Sequence, residues 1–571
     1  MAENFAKMKS LRGRPGWRLA YAAPVLALLF SSPARGQVSW ANPGAGDWSN
    51  GLNWSSGVTP GTQDAALVAN GGHAQANASA VVAVNRLEVG RNDGSGAFTS
   101  NGAAVEIDSA FDVGEVTGAA ATGGLSVSNS GTVVIQDSAL LEVGVNNGGG
   151  DFDIGQTGAT LGGTALSMAS VSLVRHGLVD IATNLEVAPA SADATSTSTA
   201  NGQFLVEAAE SISIAAELNV GTVNGSGRTS STALASFQSV GSMVVGAAAN
   251  IGVAKGTSQL GNSADATLTI HSSSVQIGFA EPLALEDLNI GDVSTVGSGV
   301  LHGKGLVQLN DSQLTVGNRI DVARLTGGAA ASTTDGRLEA VGSLVIADDL
   351  TVAEVGAGVL GTATGVVDLS KSLVDLGSTL RLGEGSTLEI ALSGVSRADG
   401  SGGLQYAAID AGLLADLAGS LRVTLADGFL PSVGQSFLLI GTPTVTGDFS
   451  GVELPDLINL GMDWTTTIGP TGYSVSVVGA ALPGDYNGDG LVDGADYSVW
   501  RDSNGSTLNL AADGDGDLVV DAADYQVWRS HYGRGSLTSP AAVGTAAPEP
   551  SALAVVIAAA ALQCFVRRKE Q

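Results

Sequence analysis

The sequence predicts a mainly β chain whose body is a right-handed parallel β-helix, followed by a smaller β-rich domain and a short α-helical module. Three observations carry this reading. A phrase of apolar, polar, apolar and glycine residues keeps returning through the middle of the chain. Glycine supplies 80 of the 571 residues and leaves few stretches fit for helix. Two acidic loops near the end repeat in register, and each leads into a segment with helical spacing.

The first element, residues 1–36, has Lys7, Lys9, Arg12, Arg14 and Arg18 ahead of the apolar run "LAYAAPVLALLF" and the small residues Ala34 and Gly36. That order fits a secretory signal peptide cleaved after Gly36, and the run is too short for an ordinary membrane span; an uncleaved anchor is the alternative. Without this basic end and the one at residues 551–571, the chain carries sixteen Lys/Arg against 53 Asp/Glu, a charge of −37. Such a surface repels phosphates and attracts divalent cations, so no nucleic-acid partner is expected. The single cysteine, Cys564, excludes an intrachain disulfide.

Residues 37–80 concentrate Trp40, Trp48 and Trp54 among glycines. They read as a cap that closes the first coil, with a sugar-stacking platform as the alternative. The segment resembles, on its aromatic residues and glycines alone, the opening of autotransporter-like β-helical surface proteins.

Residues 81–402 form the repeat region. "LEVG" at Leu87, "FDVG" at Phe111, "LEVG" at Leu141, "LEVA" at Leu185, "LNVG" at Leu218, "LNIG" at Leu288 and "LTVG" at Leu314 each put two apolar side chains on one strand face and a polar one on the other, with a residue for turning behind them. The spacing is irregular, which a parallel β-helix tolerates because its outer turns can lengthen without disturbing the stack. Serial β-sandwiches or a disordered rod are the alternatives, and the faithful alternation argues against disorder. The acids of the phrase, Glu88, Asp112 and Glu142 among them, read as a solvated outer face. Residues 403–480 change to longer alternating runs such as "LRVTLADGFL" and "TGYSVSVVG", which predicts a compact β domain capping the other end.

The acidic loops span residues 484–535. Calcium takes six to eight oxygens, and a twelve-residue loop supplies them from positions 1, 3, 5, 7, 9 and 12. In "DYNGDGLVDGAD" these are Asp485, Asn487, Asp489, the Leu491 carbonyl, Asp493 and Asp496, with Gly490 at the sharp turn of position 6. In "DGDGDLVVDAAD", 28 residues on, they are Asp513, Asp515, Asp517, the Val519 carbonyl, Asp521 and Asp524. Position 6 there is Leu518, which resists the backbone that glycine accepts, so the second Ca2+ site is expected to be the weaker. Val492 and Val520 at position 8 are expected to pair the two loops strand to strand. Each loop leads into a helix with Tyr and Trp at i and i+3, Tyr497 with Trp500 and Tyr525 with Trp528.

Two calcium loops with one exit helix each resemble the type I dockerin family, an EF-hand-like pair, over Gly484 to Gly533. The resemblance implies a cohesin-like or other envelope protein partner. In cellulosomal members a Ser-Thr-like pair at positions 10 and 11 meets the cohesin, whereas this chain has Gly494 and Ala495, then Ala522 and Ala523. A calcium-stapled spacer is the alternative role.

After a linker at 536–547, residues 548–571 set Pro548, Glu549 and Pro550 before an apolar stretch, 551–566, and Arg567, Arg568 and Lys569. This order resembles the PEP-CTERM sorting signal and implies recognition by an exosortase-type protease, with a plain tail anchor as the alternative; either places the body outside the cytoplasmic membrane. No cluster argues for catalysis, and His73, His176, His271, His302 and His531 read as scattered surface or turn residues. The expectation is a non-enzymatic surface or matrix protein that interacts with polysaccharide. The alternative is a polysaccharide lyase or glycoside hydrolase on the same β-helix, by analogy of fold alone.

Overall fold

The structure, a computed structural model, describes residues 36–535 apart from 93, 118–124, 139, 145–149, 257–260, 279–285, 295–299, 328–330, 398–404 and 480–481. The expected signal peptide up to Arg35, the linker and the sorting tail with its apolar stretch lie outside the described residues. Among the described residues no helix is long and apolar enough to cross a membrane. The chain is mainly β, and its strands lie in long parallel sheets.

Successive passes of the chain add one strand to each of three rows. Row one is a parallel sheet of fourteen short strands, from Gln37–Ser39 to Val445–Gly447. Row two runs from Ala45–Asp47 to Gly451–Glu453, and row three begins with Val82–Val84 and reaches Ser436–Gly441. Two strands of 18 residues, Thr164–Ile181 and Thr197–Ile214, pass through rows two and three without a break and join them into one sheet. A further sheet of five short strands, Thr157–Ala159 to Val293–Ser294, fills the corner after row one over part of the length.

The repeated phrase turns out to mark two rows. Leu87, Phe111, Phe152, Leu185, Leu218, Ala249, Leu288, Ile320, Leu350 and Leu380 are register partners along row one. Leu141 and Leu314 belong to row three, where they pair with Val105 and Val179, and with Val275 and Val345. The irregular spacing therefore comes from interleaving two rows and from phrases such as "ANIG" at Ala249 and "IDVA" at Ile320 that depart from the pattern.

Alternation builds the core. The two apolar core-facing residues of each row-one strand from Arg86–Arg91 to Asp349–Val352 are buried, as are Phe98, Phe204 and Phe237 of row two. Phe111 stacks on Phe152 at 4.6 Å between centroids, and Phe152, Phe204 and Phe237 continue edge to face. Each such side chain contributes about 1.5–3 kcal/mol of burial. The phrase glycine does more than turn the chain. Gly291 has φ +71°, and a Cβ there would stand 2.3 Å from the Asp335 carbonyl oxygen, because row one ends where the row-two backbone crosses close by. Where the phrase ends in alanine, as at Ala188, Ala323 and Ala353, the backbone still takes positive φ.

The corner between rows two and three is tied by a serine ladder. Ser273, Ser312, Ser343 and Ser372 accept the backbone N–H of Val240, Ser273, Ser312 and Ser343, at 2.9, 3.3, 3.1 and 3.0 Å. Each hydroxyl also donates to the carbonyl two residues back. The turn that exposes those N–H groups is thus satisfied by the next pass.

Two expected boundaries are corrected. Residues 37–80 are no separate cap, since Gln37–Ser39 pairs in parallel with Ala65–Val68, and that strand with Arg86–Arg91. Trp40, Trp48 and Trp54 are buried within this first layer, edge to face at 4.9 and 4.8 Å, so no indole is presented for sugar stacking. The described part of residues 403–480 likewise continues the rows up to Gly451–Glu453. The hairpin Met462–Gly469 and Gly472–Gly479 departs from the parallel rows: its strands pair antiparallel, the second also runs antiparallel against Ser436–Gly441, and Tyr473, Val475 and Val477 are buried there.

Candidate metal centre

Two α-helices occur among the described residues, α1 at Gly494–Ser503 and α2 at Ala522–His531, and each follows an acidic loop. The loops fold alike because their carboxylates organise their own backbone. Asp485 accepts from the N–H of Gly488 at 2.8 Å and Gly490 at 2.8 Å, and Asp513 from Gly516 at 2.9 Å and Leu518 at 3.0 Å. Asn487 and Asp489 each accept the N–H two residues on, as do Asp515 and Asp517. In the first loop Asn487 Nδ2 also donates to Asp489 Oδ2 at 2.8 Å, while in the second the side-chain oxygens of positions 1, 3 and 5 gather. The carboxylate oxygens of Asp513, Asp515 and Asp517 lie within 4.8 Å of one another, a group that could hold a metal ion. Loss of hydration, and then the charges of Asp517, Asp524 and Asp513, push the Asp515 carboxyl above its ordinary value.

Position 12 has a double role. Asp496 is fully buried; its Oδ1 accepts from Tyr486 and Asn487, at 2.8 and 3.1 Å, and its Oδ2 from Asp493 at 2.8 Å. Asp524 repeats this with Gly514, Asp515 and Asp521 at 2.7, 3.2 and 2.6 Å. A carboxylate offers roughly four lone-pair sites, so three N–H donors leave one, on Oδ2, for a cation. Asp493 and Asp521, at position 9, are the N-caps of α1 and α2 and complete a capping box with Asp496 and Asp524. Position 6 takes positive φ in both loops, +86° at Gly490 and +70° at Leu518, so the leucine adopts the glycine conformation.

The expected pairing of Val492 with Val520 is not what the structure contains. Val492 donates to Arg534 and accepts from Gly533, at 2.9 and 2.8 Å, and Val520 pairs in the same way with Ser506 and Gly505. Each loop is thus tied to the chain leaving the other unit's helix, and both valine side chains are buried. The tie between units is made by the aromatics. Trp500 Nε1 donates to the Asp521 carbonyl at 2.7 Å and Trp528 Nε1 to the Asp493 carbonyl at 2.8 Å, so each indole holds the opposite helix cap. Tyr497, Trp500, Tyr525 and Trp528 pack with ring centroids 4.9–6.2 Å apart. Gly494, Ala495, Ala522 and Ala523 are exposed at the helix starts.

The donor set of both loops is all oxygen, with carboxylates predominating, which suits a hard divalent cation. No protein-family model matches the chain, and no curated protein is similar to it.

A second acidic feature went unrecognised in the sequence. The middle residues of the row-one strands form a column, and Glu88, Asp112 and Asp153 are buried rather than solvated. Arg86 Nε lies 2.6 Å from Asp112 and 3.0 Å from Glu88, and Arg91 Nη1 donates to Glu88 at 2.9 Å. Burial pushes Asp112 up to about 7 against the pull of Arg86. Burial, then the charges of Asp112, Glu186, Asp151 and Glu115, push Asp153 up to about 9. Farther along, Asn289 donates to Asn250 at 2.9 Å, Asn250 to Asn219 at 2.8 Å, and Asn219 to Glu186 at 3.3 Å. Glu142, grouped with these acids by sequence, stands in row three beside Glu106 and Asp180. His176 is also a correction. It is buried at the corner where other passes carry the ladder serine, and neither ring nitrogen has a well-formed hydrogen bond among the described residues. Burial lowers its imidazole below the ordinary value, against the opposing effect of the Ile135 backbone.

Proposed function

We propose that this chain is an exported bacterial envelope protein, built as a right-handed parallel β-helix that carries a dockerin-like module with two calcium sites. Its role is non-enzymatic, at the cell surface or in an extracellular matrix, and its acidic body interacts with polysaccharide or other envelope components. The observation that carries the reading is the duplicated loop with helix-cap carboxylates and reciprocal Trp500 and Trp528 bonds. Two copies of one ligand frame, locked to each other, favour a binding module over an acidic surface loop.

In the first loop Asp485, Asn487, Asp489, the Leu491 carbonyl, Asp493 and Asp496 would hold one calcium ion; in the second Asp513, Asp515, Asp517, the Val519 carbonyl, Asp521 and Asp524 would hold the other. Bound calcium supplies charge neutralisation and fixes the loops, and the protein's own residues do the rest: the carboxylates order the backbone and the indoles transmit that order to the opposite helix. So small a core folds in a metal-dependent way. The sorting tail directs the chain to an exosortase-type protease, and the exposed helix starts at Gly494 and Ala522 face an envelope partner.

Residues 37–547 titrated with calcium after chelator treatment are expected to take up two ions in the module and to gain helical circular dichroism. An identical spectrum in chelator and in calcium refutes the coupling. The same protein presented to acidic and neutral polysaccharides is expected to be retained without cleaving them, and release of oligosaccharide overturns the non-enzymatic reading.

A further inference from the structure

The two ligand frames of the module are joined through a side chain that has no counterpart in the other half. At position 2 the first loop carries Tyr486 and the second carries Gly514. The backbone N–H of each donates to the position-12 carboxylate of its own loop, Tyr486 to Asp496 at 2.8 Å and Gly514 to Asp524 at 2.7 Å. Tyr486 then does what Gly514 lacks the atoms to do: its phenol crosses to the other unit and donates to the Asp524 carbonyl at 2.7 Å. One residue thus holds Asp496, from the first frame, by its N–H and Asp524, from the second, by its O–H. Gly514 makes the room, since a Cβ there would stand 2.3 Å from the Tyr486 hydroxyl.

The crossing reaches a sensitive point in α2. Asp524 is the third residue of that helix, and its carbonyl and the N–H of Trp528 are the pair that helical geometry joins at i and i+4. The phenol oxygen stands at this rung, bonded to the one and beside the other. Burial, and then the Asp524 charge, push the phenol above its ordinary value, so it keeps the proton it donates. Trp528 in turn holds the Asp493 carbonyl, at position 9 of the first loop, which closes a circuit of contacts through both frames. We propose, on the reading that calcium fills both loops, that Tyr486 is a positioning residue that makes the two sites fill together. An ion in either loop fixes Asp496 or Asp524, and Tyr486 passes that order to the other. The indoles tie each helix to the opposite cap and treat the units alike, whereas the phenol ties one position-12 residue to the other.

Calorimetric titration of the chelator-stripped full chain with calcium tests this. With one neutral hydrogen bond as the link, filling the first loop is expected to tighten the second about fivefold, measured as wild type against a chain whose first loop is silenced by Asp485→Ala and Asp489→Ala. Tyr486→Phe keeps the ring and lets the Asp524 carbonyl return to Trp528. It is expected to bring the two affinities together while leaving the second loop of the silenced chain, and the thermal melt in chelator, unchanged; a tyrosine that served only packing would shift those instead. Gly514→Ala drives the phenol off by another route and is expected to lose the same coupling, with nothing further lost on adding Tyr486→Phe. Uptake of two ions with equal second-loop affinity in wild-type and silenced chains overturns the proposal and leaves the calcium sites standing, as does coupling that survives Tyr486→Phe. A wild-type chain that takes up no calcium overturns both.

Discussion

Leu518→Gly tests whether the two loops differ for the reason their backbones give. Leu518 has φ +70° and Gly490, its counterpart, +86°. A left-handed backbone costs an L-residue about 1–2 kcal/mol, and glycine returns about 0.5–1 kcal/mol of that as lost unfolded-chain entropy. The side chain is 64% exposed, so little packing is lost, and the N–H that Asp513 Oδ2 accepts at 3.0 Å is kept. The net gain is about 0.5–1 kcal/mol, or roughly a two- to fivefold tighter second site where folding and binding are coupled. Calorimetric titration of the chelator-stripped chain reads this directly, with Asp517→Asn identifying which isotherm belongs to the second loop. Gly490→Leu should weaken the first site by a similar factor. A second site that stays within its original affinity in Leu518→Gly, while Gly490→Leu weakens the first, refutes the equivalence of the two turns.

Three further outcomes are expected. Asp496→Asn puts an amide donor or a saturated oxygen against the Asp493 N–H, which Oδ2 now accepts at 2.8 Å, and should cost about 1–3 kcal/mol of module stability in saturating calcium, read by thermal melting of the helical signal. Asp502→Ala, outside the ligand frame, should leave that melt unchanged. Gly291→Ala adds a Cβ 2.3 Å from the Asp335 carbonyl at φ +71° and should lower the denaturation midpoint of the body, whereas Ala323→Gly at φ +62° should hold or raise it. Burial lowers the His176 imidazole from 6.5, so below about that pH the unfolded chain binds more protons than the folded one and stability falls as pH drops. His176→Ser, which restores the ladder hydroxyl, should remove that loss, and a pH profile identical to wild type's contradicts it.

The loops were legible because everything that shapes them is local. Asp485 meets Gly490, and Asp496 meets Tyr486 and Asp493, so a twelve-residue frame contains its own explanation. The pairing of the module was not, since Trp500 reaches Asp521 across the two units and nothing near Val492 in sequence announces Gly533. In the body the apolar alternation announced strands and a core face, but "LEVG" at Leu87 and at Leu141 are alike locally and lie in different rows. Only the partner strand distinguishes them.

That limit also explains the acids. Alternation says which residues share a face, and Glu88, Asp112 and Asp153 do share one, opposite Leu87, Phe111 and Phe152. Whether that outer face meets water depends on what the rest of the chain lays over it. In row one arginines on the same and neighbouring strands fold onto the column: Arg86 on Asp112, Arg91 on Glu88, and Arg319 and Arg324 on the fully buried Asp321. Eight of the nine described passes from Arg86 to Val352 fill the middle position with an acid or with an amide that bonds to the neighbouring pass, and where an acid lacks a guanidinium or an amide donor, at Asp153, desolvation raises its carboxyl to about 9. The column is therefore a set of solutions to one problem, a buried polar ladder in a parallel stack, and Asp153, whose Oδ1 has no hydrogen-bond partner among the described residues, is the pass where that solution is incomplete.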